Sequence, residues 1–221
     1  MERFFDIVLS TMAIICLSPI FILTAILLRF TGEKEVLYLQ TRVGKNKAKF
    51  KLYKFATMLK NSDQMGTGTV TVKNDMRILP FGKFFRKTKI NELPQLFNIL
   101  LGHMSIVGPR PLTTDNFNLY NPETQNMVSK TRPGLSGIGS IIFRNEEEML
   151  NLAGDNIKFY EEVITPYKGK LEVWFVLNST LLNYFKIIFL TMFVVMFPKT
   201  KIVWEVFRHL PIPPIELEDL L

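Results

Sequence analysis

The sequence predicts a mostly helical α+β protein, in which an N-terminal membrane helix precedes a small domain with a short β-hairpin and amphipathic helices at the membrane interface. Three observations predict this fold class. Residues 7–28 carry no charge, residues 36–40 and 49–58 alternate as strands do, and much of the remaining chain places apolar residues at helical spacing. We therefore divide the chain into a membrane helix (residues 1–30), a central domain (31–200) and a C-terminal extension (201–221).

The uncharged run is long enough to cross a bilayer. As a continuous helix its 22 residues would extend roughly 33 Å. Near its middle, Pro19 removes a backbone hydrogen bond and predicts a kink, while the Ser18 hydroxyl can bind a carbonyl that this leaves free. Basic residues flank both ends, so the charge pattern leaves two alternatives open: a transmembrane helix, and a re-entrant helix-break-helix with both ends on one face.

The remaining elements are predicted from local patterns. Asn91 is a good N-cap for a helix over residues 91–101, with Pro94 in its first turn. The other predicted elements are a hairpin turn at 42–49, a glycine-rich turn at 132–140, a helix after Pro80, a helix over 115–130 interrupted at Asn121-Pro122, and helices over 155–164 and 168–197 separated by Thr165-Pro166.

The candidate site lies in residues 86–111, which read RKTKINELPQLFNILLGHMSIVGPRP. Glu92 is a carboxylate framed by basic residues, among them Arg86 and Arg110, and the two prolines of the final Gly-Pro-Arg-Pro turn fix the backbone around the arginine. In one interpretation Asn91 caps a helix and Glu92 complements its dipole. In the other, this arrangement binds a phosphate and takes part in phosphoryl transfer.

Composition restricts the partners. The net charge of +7 indicates acidic partners, which include nucleic acids, anionic lipids and phosphorylated substrates. A nucleic-acid partner is disfavoured because no recognition motif appears and the basic residues are interspersed with apolar ones. Nineteen phenylalanines favour contact with a lipid bilayer.

Five segments of the chain read FDIVLSTMAIICLSPIFILTAILLRF, YLQTRVGKNKAKFKLYKFATM, DMR, RKTKINELPQLFNILLGHMSIVGPRP and RPGLSG. Together they resemble the bacterial sugar transferase family, the small monotopic phosphoglycosyl transferases. The resemblance implies transfer of a sugar-1-phosphate from a UDP-sugar donor to a polyprenyl (undecaprenyl) phosphate acceptor, with Mg²⁺ and release of UMP. It places this first step of glycoconjugate synthesis at the cytoplasmic face of the bacterial inner membrane, and it allows a homodimer.

The resemblance also implies roles for individual residues. It makes Ser18 and Pro19 the break of a re-entrant helix, and it places Lys54, Arg86 and Arg110 among the residues that bind phosphate. Arg144, which follows the apolar residues 141–143, completes this predicted set.

The family pattern Asp-Glu-Leu-Pro-Gln provides a nucleophilic aspartate and a glutamate that supports Mg²⁺, but Asn91 replaces the aspartate here. Asn91 and Glu92 are therefore the candidate catalytic pair, with Glu92 as the metal ligand, and three alternatives stay open. Glu92 attacks the donor itself, the acceptor phosphate attacks directly, or the chain is an inactive membrane-bound relative that binds a nucleotide sugar or a partner enzyme.

Overall fold

The computed structural model describes residues 1–66, 75–152, 156–197, 200–218 and 220–221, and the structural statements below concern these residues. The first element is a long helix, α1 (Glu2–Phe30), which is long and apolar enough to cross a membrane. It is continuous across Pro19. The Ser18 hydroxyl donates to the carbonyl of Ile15 at 2.8 Å. Pro19 has no N–H with which to bind that carbonyl. The predicted role of Ser18 is confirmed, whereas the re-entrant path stays a prediction.

One side of α1 packs on the rest of the protein from end to end. Near its start, one oxygen of the buried Asp6 accepts hydrogen bonds from the Ser105 hydroxyl, the Ile106 amide and the Tyr184 hydroxyl, each at 2.9 Å. Near its end, the buried Leu28 lies in an apolar cluster with other parts of the domain. The opposite side of α1 is exposed and apolar, and it includes Phe4, Val8, Met12, Ile15, Ile22, Ile26 and Phe30.

The predicted hairpin is present. Strands β1 (Leu37–Val43) and β2 (Lys49–Phe55) pair antiparallel, with Tyr38 opposite Lys54 and Arg42 opposite Phe50. Because successive side chains of a strand point to opposite faces, Tyr38, Gln40 and Arg42 share the face of Lys54. The hairpin therefore brings two basic side chains to one surface.

A second, smaller sheet was not predicted. Strand β3 (Ser105–Val107) pairs parallel with β4 (Gly134–Ser136), in the segment that the sequence predicted as a glycine-rich turn. The two segments approach closely because each has a glycine at the contact. A Cβ atom on Gly108 would lie 2.9 Å from the Gly134 nitrogen. This sheet leads directly into the Gly-Pro-Arg-Pro turn.

Short helices form most of the domain. They are α2 (Gly82–Lys87), α3 (Gln95–Leu100), α4 (Thr114–Asn118), α5 (Pro122–Val128), α6 (Ile138–Ile142), α7 (Glu146–Leu152), α8 (Asn156–Phe159), α9 (Thr165–Leu177), α10 (Leu181–Met196), α11 (Ile202–Val206) and α12 (Ile215–Glu218). The predicted helix after Pro80 and the interruption at Asn121-Pro122 are confirmed, since the Asn121 side chain caps α5.

Two predicted helix boundaries near the C-terminus are wrong. Pro166 lies in the first turn of α9, where its missing N–H is tolerated. The chain is therefore helical without interruption from the π-helical turn Tyr160–Ile164 into α9. The predicted helix over 168–197 is instead two helices, because Thr180 caps α10 after a break. Residue 155, the predicted start of the preceding helix, lies outside the described residues.

The largest apolar core joins α6, α7, α9 and α10. Residues 201–221 contribute Val203, Phe207, Leu210 and Leu217 to it, and the Tyr167 hydroxyl donates to the Pro211 carbonyl at 2.8 Å. The C-terminal segment is therefore packed against the central domain.

Candidate active site

Asn91 and Glu92 lie in a 3₁₀ turn, Ile90–Glu92, between α2 and α3. The prediction that Asn91 caps a helix over 91–101 is wrong. That helix begins at Gln95, after Pro94, and the Asn91 side chain is buried, with its Oδ1 atom lacking a hydrogen-bond partner. Its carbonyl oxygen is instead a buried acceptor next to Glu92.

Five cationic side chains, here called the basic group, surround the Glu92 carboxylate. They are Arg42 on β1, Lys54 on β2, Arg86 at the end of α2, Lys89 and Arg110. Arg110 Nη2 lies 3.8 Å from Glu92 Oε1. Burial alone would raise the pKa of Glu92, but the charges of Lys54, Arg110, Lys89 and Arg86 lower it to about 2. Glu92 is thus ionised at every physiological pH.

The cations of the basic group repel one another. Burial and the charges of Arg42, Arg110 and Arg86 lower the pKa of Lys54 to about 7, although Glu92 opposes the shift. Burial and the nearby Arg110 likewise lower the pKa of Arg42 to about 10. A bound polyanion would relieve this repulsion, so the electrostatics favour an anionic ligand.

Side chains from two other elements fix the turn that carries Arg110. Arg42 Nη1 donates to the Pro111 carbonyl at 3.2 Å, and the Arg110 amide donates to Glu172 Oε1 at 3.3 Å. Neither Arg42 nor Glu172 was among the site residues predicted from the sequence. Strand alternation could have found Arg42, because it lies on the face of Lys54, but no local pattern indicated Glu172.

The structure brings Lys54, Arg86 and Arg110 together around Glu92, and their binding of phosphate stays a prediction. Arg144 is engaged elsewhere: its Nη1 atom donates to the Val194 carbonyl at 3.1 Å, near the C-terminal end of α10, where a cation complements the helix dipole. Phosphate binding by Arg144 stays a prediction.

The oxygens next to the basic group fit a magnesium ion only in combination with a substrate. No group of three or more histidine, cysteine or acidic side chains that could hold a metal occurs among the described residues. Mg²⁺ typically takes one or two protein oxygens and completes its shell with phosphate and water. Glu92 and the partnerless Oδ1 of Asn91 provide oxygens of this kind.

The similarity of this chain to known proteins agrees with the geometry of the site. A family model described as "Bacterial sugar transferase" matches residues 1–198. The exopolysaccharide production protein ExoY of Sinorhizobium fredii is 36% identical over 159 residues, which cover 66% of this chain and 70% of that protein.

Two further relatives have names that state an activity. The UDP-N-acetylgalactosamine-undecaprenyl-phosphate N-acetylgalactosaminephosphotransferase of Aeromonas hydrophila is 38% identical over 64% of this chain and 34% of its own. The UDP-glucose:undecaprenyl-phosphate glucose-1-phosphate transferase of Klebsiella pneumoniae is 34% identical over 72% of this chain and 34% of its own. The chain belongs to the bacterial sugar transferase family.

Proposed function

We propose that this protein transfers a sugar-1-phosphate from a UDP-sugar to a polyprenyl phosphate and releases UMP. The observation that carries the proposal is the basic group around Glu92, which is suited to a diphosphate. The relatives with named activities act on undecaprenyl phosphate. Exopolysaccharide production, named for another relative, indicates the pathway class.

The reaction proceeds by direct attack. An oxygen of the acceptor phosphate attacks the phosphorus that bears the sugar, the bond from that phosphorus to the bridging oxygen breaks, and UMP leaves with the electron pair. Lys54, Arg86 and Arg110 stabilise the charge that develops on the phosphoryl oxygens. The cations around Glu92 lower its pKa and with it the nucleophilicity of its carboxylate, so the proposed reaction uses the acceptor phosphate as the nucleophile.

The residues of this site fit Mg²⁺ that binds together with the substrate. Glu92 and Asn91 Oδ1 would hold it, and when bound it neutralises charge on the diphosphate. Glu92→Gln should then weaken metal-dependent UDP binding in titration calorimetry, whereas binding measured without Mg²⁺ should change much less.

The test of the proposed function is release of UMP in detergent from a panel of UDP-sugars mixed with polyprenyl phosphate. We expect one donor to be turned over, and Glu92→Gln to lower the rate by about a thousandfold. Turnover of no donor would contradict the proposal. Asn91 favours one alternative, a relative that binds nucleotide sugar without turnover, and measurable UDP binding without UMP release would support it.

Helix α1 anchors the protein to the cytoplasmic face of the inner membrane as a re-entrant helix. The support is that both ends of α1 contact the domain: Arg3 donates to the carbonyls of Ile99 and Leu100, and Leu28 packs in an apolar cluster with Phe55. Contact of both ends with the domain favours a path in which both ends lie on the domain's side of the membrane, with the exposed apolar face towards lipid.

Cysteine labelling tests this topology in a Cys16→Ser background. Cysteines placed at Glu2 and at Glu33 should both react with an impermeant maleimide in inverted membrane vesicles and be protected in intact cells. Labelling of one of them from the periplasmic side would show a transmembrane helix instead.

A further inference from the structure

The turn at residues 108–111 has few main-chain donors, although two of its carbonyls are bound: that of Pro109 accepts from the Gly134 amide at 2.8 Å, and that of Pro111 accepts from Arg42 Nη1 at 3.2 Å. Two of its residues are prolines and have no N–H, so its amide donors are those of Gly108 and Arg110. The Gly108 amide donates to the Ser136 carbonyl at 2.9 Å, within the small parallel sheet. The Arg110 amide instead donates to a side chain, Glu172 Oε1, at 3.3 Å. Among these contacts, the Glu172 carboxylate binds the main chain of Arg110 itself, the residue that contacts Glu92.

Glu172 lies on α9 and is 2% exposed. Its second oxygen, Oε2, is buried without a hydrogen-bond partner. The carboxylate reaches the turn across α6, where a Cβ atom on Gly139 would lie 2.5 Å from Oε1. Burial of an acid costs free energy unless hydrogen bonds compensate for the lost hydration. Here the compensating hydrogen bond comes from the Arg110 amide.

We propose that Glu172 is a positioning residue, which holds the Arg110 amide and so places the guanidinium that binds the diphosphate of the donor. Its hydrogen bond is to the Arg110 main chain, so it acts on the diphosphate through Arg110. The part of this inference that concerns the diphosphate rests on the proposed function, and the part that concerns the turn does not.

The charges near Glu172 indicate which substitutions are informative. Lys168 lies nearby but is paired with Glu146, with 2.6 Å between Nζ and Oε1. Burial raises the pKa of Glu172 to about 7, against the hydrogen bond from the Arg110 amide and the charge of Lys168. Because much of Glu172 is neutral at pH 7, glutamine reproduces its shape, its acceptor oxygen and that protonation state. Alanine removes the acceptor.

The direct test is hydrogen exchange, measured by mass spectrometry on the full-length protein in detergent without ligand. In Glu172→Ala we expect the Arg110 amide to exchange about tenfold faster or more, while the Gly108 amide keeps its rate as an internal reference. Glu172→Gln should stay within about threefold of the original protein. Glu146→Gln, which removes a charge from the same cluster without touching the turn, should leave both amides unchanged.

The second measurement is the affinity for UDP, used as a diphosphate probe. It should fall about tenfold in Glu172→Ala and be restored in Glu172→Gln. If Glu172 only stabilised the fold, the loss of UDP affinity in each variant would follow the fall in its unfolding temperature. Glu172→Gln would then not restore the affinity selectively. If Glu172→Ala does not fold, Gly139→Ala displaces the carboxylate instead, and the same results are expected.

Each outcome decides a separate point. Unchanged exchange of the Arg110 amide in Glu172→Ala would overturn the proposal, and faster exchange with unchanged UDP affinity would overturn its link to anion binding. Absence of UMP release from the unaltered protein would refute the proposed function alone, because the exchange experiment does not depend on turnover.

Discussion

Asn91→Asp introduces a nucleophile without a change in side-chain volume. The Asn91 side chain is 5% exposed, and its Oδ1 atom has no partner, so the substitution breaks no hydrogen bond to that oxygen. It places a second carboxylate at the position that precedes Glu92 in the same 3₁₀ turn. The chemical consequence depends on whether this carboxylate is ionised.

The charges of the site allow that ionisation. The pKa of Glu92 falls from its ordinary 4.5 to about 2, which corresponds to roughly 3 kcal/mol in favour of the ionised form. Repulsion between two carboxylates about 6 Å apart is also about 3 kcal/mol at an effective dielectric constant of about 20. Attraction to the cations and repulsion from Glu92 are of similar size, so we expect the introduced carboxylate to be charged at pH 7.

The assay is UMP release from a UDP-sugar in the absence of acceptor. Direct attack by the acceptor predicts no UMP from the unaltered protein under these conditions. Asn91→Asp should release about one UMP per protein molecule and acquire the mass of a phosphosugar, located at position 91 by peptide mapping. Asn126→Asp, the same exchange on the exposed part of α5, serves as the control and should release none.

Two results would refute this reasoning. A burst of UMP from the unaltered protein, with the adduct on Glu92, would show that Glu92 attacks the donor despite its low pKa. A folded Asn91→Asp variant that binds UDP but gives no burst would show that position 91 does not face the phosphorus.

Three further predictions concern charge and anchoring. A bound diphosphate keeps Lys54 protonated, so UDP affinity measured by calorimetry should fall as the pH rises through about 7, and Lys54→Arg should lose this dependence. Because the pKa of Glu92 is lower in the folded protein than in the unfolded chain, it adds stability above about pH 4.5 that is lost as the pH falls towards 2. Acid unfolding of Glu92→Gln should lack that loss. Asp6→Ala leaves three donors without their acceptor and should cost about 3 kcal/mol in thermal unfolding, with Asp6→Asn costing less.

The elements that the sequence predicted well are those with a local cause. The hairpin follows from alternation within two short segments and a turn between them. The hydrogen bond from Ser18 to Ile15 follows from the proline one residue later, since both partners lie within one helical turn of it. In these cases the residues that determine the structure are neighbours in the chain.

The errors share a different cause. Strands β3 and β4 are three residues each, too short for a periodic pattern, and they pair across about thirty residues of chain. Asn91 is of a residue type that often caps helices. The packing of its turn instead buries the Asn91 side chain, and α3 has no side-chain cap. Packing between distant segments overrode the local preference at both places.

The same distinction explains which site residues were found. Glu92, Arg86 and Arg110 lie within 25 positions of one another and form a visible motif. Glu172 reaches Arg110 from 62 positions away in the chain, from a helix in which no local motif marks it. A site with five cations around one carboxylate costs stability in the empty state, so the residues that hold those cations in place matter as much as the cations themselves. The side chains that hold these cations come from elements remote in sequence. The contact between the Arg110 turn and α9 is therefore found only in the folded structure.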